Sequence, residues 1–138
     1  MSAAVQRADR TVATLLPLAT MAAIFVLSSI PGSIAADDPA SYRIFLWVPP
    51  DVQNVLHVPV FAVLAALWQR AAELWFDRVR LAAAFAWVTT VAYGGIDEWH
   101  QMHVPGRYAS FTDLALDAVG ASLGIGLVLV RRWRAQRP

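Results

Sequence analysis

The chain contains no cysteine and no lysine. The first absence excludes a disulfide framework, a thiolate nucleophile and a zinc-thiolate site, and leaves the redox compartment unread. The second means that all 11 basic residues are Arg, set against 10 acidic ones for a formal net charge of +1. No broad basic face follows from that balance, so nucleic acid is not an expected partner. Charge of either sign is scarce at 15% of residues, whereas 58% are hydrophobic and mean hydropathy is +0.50. That excess of apolar residues excludes a disordered tail, a collagen-like chain and a coiled coil. Internal repeats, low-complexity tracts and linkers are also lacking, and 138 residues allow one domain. What remains is a helical membrane protein or an unusually apolar soluble core.

Long apolar runs decide between the two. No charge occurs between Arg10 and Asp37, and Thr11 to Ile30 supplies about 20 residues, about 30 Å of helix, enough to cross a hydrocarbon core. Val52 to Gln69 is likewise uncharged, with His57 and Pro59 near its start. Because proline is tolerated in a first turn and kinks a helix deeper in, this helix is expected from about His57 to Trp75. Leu81 to Ile96 reaches only about 24 Å and must borrow length, from snorkelling Arg78 and Arg80 at one end and from Asp97, Glu98 and Gln101 at the other. Leu114 to Val130 is interrupted by Asp117 and closed by Arg131, Arg132 and Arg134. The expected architecture is all-α: a four-helix transmembrane bundle, with helices near 11–30, 57–75, 79–101 and 112–131 and one membrane domain over residues 1–138.

Two alternatives fit less well. Arg7 and Arg10 before an apolar run, with Ser33-Ile34-Ala35 after it, could mark a cleaved signal peptide. The run exceeds a signal core of roughly 7 to 15 residues, however, and three more apolar spans follow. A soluble bundle needs charged outer helix faces, and Thr11 to Ile30 has none.

Short loops rich in Arg stay cytoplasmic. Arg7 and Arg10, then Arg70, Arg78 and Arg80, then Arg131, Arg132, Arg134 and Arg137 fall on one side, and only Arg43 and Arg107 on the other, a split of nine against two. Both termini are therefore expected inside. Trp68, Trp75 and Trp133 then fall near the inner interface, and Trp47 and Trp99 near the outer one, as an aromatic belt requires.

The remaining information sits in a few polar residues of the outer end. On the third helix Tyr93, Asp97 and either His100 or Gln101 share a face, with Glu98 about 100° away. On the fourth, Asp113, Asp117, Gly120, Ala121 and Gly124 form one stripe. The Gly120-x-x-x-Gly124 pair is a device for close helix approach. Asp117, a turn inside the membrane, needs a partner, and Arg107 and His57 are the candidates. Between the helices Pro105-Gly106 supplies a tight turn, and Ser110 or Thr112 is placed to cap the fourth helix with Asp113 in its first turn. His57, Asp97, Glu98, Gln101, Arg107 and Asp113 are expected to converge, since the short third span must end where the second begins.

The run Asp97-Glu98-x-x-Gln101-x-x-x-Pro105-Gly106-Arg107-x-x-Ser110-x-x-Asp113-x-x-x-Asp117-x-x-Gly120-x-x-x-Gly124 resembles the VanZ-like family of bacterial membrane proteins. Ser28-Ser29-x-Pro31-Gly32 resembles the segment that ends that family's first helix, and His57 with Phe61 resembles its His and downstream aromatic on the second. The resemblance covers about residues 20 to 130. This chain departs from the pattern at Gln53 and Asn54, where the family usually has Asp and Lys, at Phe61 for a Tyr, and at Asp117 for an Asn. The resemblance implies a multi-pass protein of the bacterial cytoplasmic (inner) membrane. The family's namesake is associated with low-level resistance to teicoplanin, a glycopeptide that acts on cell-wall precursors.

Three functional readings stand open. In the first, the outer polar cluster of His57, Asp97, Glu98, Gln101, Arg107, Ser110, Asp113 and Asp117 binds a lipid-linked cell-wall precursor, or alters the access of a glycopeptide to it. Arg107 then meets an anionic head group, because a guanidinium fork suits phosphate or carboxylate. Its partners are membrane lipids, and no cofactor or metal is called for. In the second, the chain is an enzyme: His57, Asp97, Glu98 and Asp113 act as general acid and base on a phosphorylated or acylated lipid while Arg107 stabilises charge. A metal version of that enzyme would use His57, His100 or His103 with the carboxylates. In the third, Asp97 or Asp117 pairs with Arg107 to fasten the helices of a structural subunit or assembly factor.

Overall fold

The computed structural model describes residues 3–32 and 50–137. The tripeptide Ser33-Ile34-Ala35 and the connection carrying Arg43 and Trp47 lie outside the described residues, as do the side chains of Arg7 and Gln53. Four helices account for the described chain: α1 (Ala3–Ser28), α2 (Pro50–Ala72), α3 (Val79–Gln101) and α4 (Phe111–Ala135), with no strand among the described residues. Each contains a stretch long and apolar enough to cross a membrane, over Asp9–Ser28, Asn54–Ala72, Val79–Gln101 and Phe111–Ala135.

Helices α2, α3 and α4 pack on one another, α2 against α4 most extensively, and α1 lies across α2 and α3 without reaching α4. Small residues set the α2–α4 approach. A methyl group added to Gly120 would collide with the Val58 carbonyl, and one added to Gly124 with the Ala62 carbonyl. Phe61, Leu64, Ala65 and Trp68 of α2 bury against Ala86 and Tyr93 of α3 and Ala121 and Ile125 of α4, with Ile24 of α1 closing the cluster. The outward sides of α1, including Val12, Leu15, Leu16 and Val26, stay exposed as a lipid-facing surface requires.

The boundaries of α3 coincide with the expected 79–101; the others differ for identifiable reasons. Helix α2 begins at Pro50 rather than near His57, so Pro50 takes the first-turn position. Pro59 then sits inside the helix on an exposed face, where its missing N–H leaves only the carbonyl of residue 55 without its usual donor. The helix stops at Ala72, short of Trp75, in turns closed by Leu74 N–H to Ala71 O and Trp75 N–H to Ala72 O. Helix α1 stops at Ser28 because Pro31 disfavours helical geometry before it. The Ser28 and Ser29 hydroxyls both donate to the Phe25 carbonyl, at 3.1 and 2.6 Å. Helix α4 continues past 131 to Ala135.

Ser110, not Thr112, caps α4: its hydroxyl accepts from the backbone N–H groups of Thr112 (3.1 Å) and Asp113 (3.3 Å). Ser110→Ala is expected to cost about 1 kcal/mol, read as a lower melting temperature in detergent, while Thr112→Ala leaves melting unchanged. In the loop before it Gly106 adopts φ 74°, the left-handed region. Gly32 donates its N–H to Pro105 O at 3.0 Å, and any side chain on Gly32 would strike Gly106 O. The segment that ends α1 thereby docks on the Pro-Gly-Arg turn. At the opposite end of the bundle Arg132 pairs with Glu73 at 2.7 Å, and the Arg10 guanidinium lies over Trp75.

Candidate functional site

The polar residues gather where α1 and α3 end and α2 and α4 begin. His57 of α2 meets Asp117 of α4, Nδ1 to Oδ1, at 2.8 Å. An ionised carboxylate only accepts, so against it Nδ1 carries the proton. Gly94 of α3 leaves the space into which the Asp117 carboxylate packs, since a Cβ there would lie 2.5 Å from Oδ2. On α3, Gln101 donates to Asp97 Oδ2 at 2.9 Å and accepts from Arg107 at 3.4 Å. Glu98 accepts the Ser110 backbone N–H at 2.7 Å, linking the end of α3 to the start of α4. Asp113 stands in the first turn of α4, buried, beside the positive end of the helix.

Of the two partners expected for Asp117, the structure selects His57. Among the described residues Arg107 forms no ion pair with Asp97, Asp113 or Asp117, which corrects that expectation. Its guanidinium instead donates to the backbone carbonyls of Ile30 (2.8 Å) and Leu27 (3.5 Å). The physical reason lies at the end of α1: Leu27 stands in its last turn and Ile30 just past it, where carbonyls lack i+4 helical donors and the negative end of the helix dipole favours a cation. Burial pulls the Arg107 pKa below its ordinary value, and the neighbouring Asp97 and Glu98 push it back up. Both Arg107→Ala and Arg107→Lys are expected to lower the melting temperature. The alanine should cost on the order of 2 kcal/mol, the worth of hydrogen bonds to a charged group, and the lysine less, since an ammonium cannot span both carbonyls as the fork does.

The two other histidines stand apart from this group. His100 pairs with the Ser29 hydroxyl at 2.9 Å and stacks on Phe25, while exposed His103 bonds the Trp99 carbonyl one turn back. On the Asp97 face it is therefore Gln101, not His100, that joins the site. Tyr93, one turn below Asp97, donates to Met21 O at 2.5 Å and stacks with Phe61 beneath the polar layer. Sequence reasoning missed Gly94 and the α1 carbonyls. The first had a signal, a glycine inside a helix pattern, which marks close approach. The second had none, because every residue carries a carbonyl.

A cleft of about 310 Å³ opens against this cluster. Ile24, Leu27 and Ser28 of α1 form one wall and Leu56, His57, Val60 and Phe61 of α2 the other, with Asp97, Gln101 and Arg107 at the polar end. Leu27, Leu56 and Val60 are exposed at its lips, so the cleft faces sideways between α1 and α2. Glu98, Asp113 and Asp117 lie outside this lining, and Glu98 and Ser110 border a second, smaller cleft with Trp99, Met102 and Phe111. The arrangement places a guanidinium, an imidazole backed by a buried acid, and apolar walls within one opening.

The model of the VanZ/LLP1 family matches residues 2–132 of the chain. No curated protein sequence and no solved structure matches it.

Proposed function

The chain belongs to the VanZ/LLP1 family and is a multi-pass membrane protein, and from that premise we propose that its cleft binds an anionic, lipid-linked component of the bacterial cell envelope at the outer leaflet. One observation carries the reading: Arg107 closes the polar end of a cleft whose lips, Leu27, Leu56 and Val60, are exposed and apolar. An apolar tail suits such walls and a phosphate or carboxylate suits the guanidinium. The nine-to-two Arg split supports an outward position for this end, with the termini in the cytoplasm. Binding a lipid-linked wall precursor there, or altering a glycopeptide's access to it, would connect the chain to low-level teicoplanin resistance.

A second reading, an acid–base enzyme on a phosphorylated or acylated lipid, draws on the His57–Asp117 pair. A histidine held by a buried carboxylate while it borders a cleft is the arrangement a general base needs.

Lipid identification tests the binding reading. Purified protein in mild detergent is expected to carry an anionic polyprenyl or acyl lipid enriched over the bulk membrane, and Val60→Trp, which fills the cleft, should shed it. Bound lipid of bulk composition in both proteins would end the proposal. Orientation is read separately: Ala109→Cys, unique in a chain without cysteine, should react with an impermeant maleimide on intact cells. Labelling only after lysis reverses the topology.

A further inference from the structure

The acidic cluster at the polar end lacks enough positive charge to balance it. Asp97, Glu98, Asp113 and Asp117 are 2%, 6%, 6% and 0% exposed, and one oxygen of each, Asp97 Oδ1, Glu98 Oε1, Asp113 Oδ1 and Asp117 Oδ2, is buried without a hydrogen-bond partner. Carboxylates left in that state cost several kcal/mol each. Arg107 hydrogen-bonds none of these oxygens, since its bonds go to two carbonyls and the Gln101 side chain.

We propose that His57, Glu98 and Asp117 hold a divalent first-row transition-metal ion. Each offers a ligand atom, and these atoms all lie within 4.8 Å of one another. An ion with bonds of about 2.1 Å sets tetrahedral ligand atoms roughly 3.4 Å apart, so the group closes on an ion by side-chain movements of about an ångström. Glu98 is already oriented for this: the Ser110 N–H holds Oε2 and leaves Oε1 without a partner, which is how outer hydrogen bonds orient metal ligands. Between His57 and Asp117 the ion would take the place of the shared proton, which leaves to solvent as the imidazole turns from hydrogen-bond donor to ligand. One imidazole nitrogen with carboxylate oxygens suits a borderline ion such as Zn²⁺ or Mn²⁺ rather than a soft one. The three ligands come from α2, α3 and α4, so the ion would pin the start of α2 and of α4 to the end of α3.

This inference does not rest on the lipid reading and is tested in detergent without added lipid. The full chain, stripped with a chelator and desalted, is titrated separately with Zn²⁺ and Mn²⁺, and bound metal is counted alongside the melting temperature. One ion per chain and a melting temperature that rises on binding and falls on chelation are expected. Glu98→Gln and Asp117→Asn should each weaken binding at least about 10-fold, while Glu73→Gln at the opposite end binds as wild type does. Should either ligand variant fail to fold, Co²⁺ loading of the wild type decides. Intense visible bands of a low-coordinate site support the proposal, and the weak spectrum of the hydrated ion overturns it. Failure of the wild type to bind any of the ions stoichiometrically overturns it, as does undiminished binding by folded Glu98→Gln and Asp117→Asn.

Discussion

Gly124→Ala is expected to lower the melting temperature and membrane abundance more than any other single added methyl group. Its Cβ would meet the oxygen, carbonyl carbon and Cα of Ala62, and the corresponding group at Gly120 would meet those of Val58. These are backbone atoms that cannot rotate away, so α2 and α4 must separate along the most extensive packing in the bundle. Overpacking of this kind costs about 1–3 kcal/mol, occasionally more, and the contact with fixed backbone places Gly124 at the upper end. Gly126→Ala is the control: nothing lies within 4 Å of its added Cβ, and the gain in helix propensity should leave stability unchanged or slightly raised. The consequence reaches the polar site, because Val58 adjoins His57 and Gly120 lies less than one turn from Asp117. Gly120→Ala should therefore loosen the His57–Asp117 pair as well as the fold. Equal melting of Gly124→Ala and Gly126→Ala would refute the packing account.

His57→Phe is expected to destabilise the chain by about 3–5 kcal/mol, the usual cost of stranding one partner of a buried ion pair. A simple lost hydrogen bond in a membrane averages only about 0.6 kcal/mol, so magnitude separates the two causes. Asp117 is fully buried and its Oδ2 already lacks a partner; removing His57 leaves the whole carboxylate without a donor. Asp117→Asn should cost much less than His57→Phe, because the amide oxygen still accepts the Nδ1 proton while the charge is gone. The double variant His57→Phe with Asp117→Leu should recover most of the loss, since replacing both partners by apolar groups leaves nothing stranded. Melting temperatures of the wild type, His57→Phe, Asp117→Leu and the double variant in one detergent give the cycle. A His57→Phe cost below about 1 kcal/mol would mean that Asp117 is not held as a buried acid.

How far the sequence reaches can be seen residue by residue. Helix α3 is legible to its ends because charge frames it: Arg78 and Arg80 flank its start, and Asp97, Glu98 and Gln101 carry it past its apolar run. The start of α2 is not, because two prolines compete for the first turn: Pro50 fills it, and Pro59 persists inside the helix on an exposed face. The gathering of His57, Asp97, Glu98, Gln101, Arg107, Ser110 and Asp113 at one end follows from alternation of spans, since each of these residues sits at a span end. Partner choice within the cluster is different. It depends on side-chain reach and on backbone groups, so the Leu27 and Ile30 carbonyls that hold Arg107 emerge only when the helices are packed, and Gly94 marks a close approach without telling that Asp117 fills it.

The claim that the lateral cleft lodges a lipid-linked anion is tested most directly by photo-crosslinking in living cells. A benzophenone amino acid at Leu56, on the lip of the cleft, is compared with one at Leu123, exposed on α4 away from it. The account predicts that the Leu56 position captures an anionic polyprenyl or acyl carrier, and that Arg107→Lys reduces that capture, while Leu123 captures bulk phospholipid alone. The same bulk phospholipids at both positions, unaffected by Arg107→Lys, would contradict it.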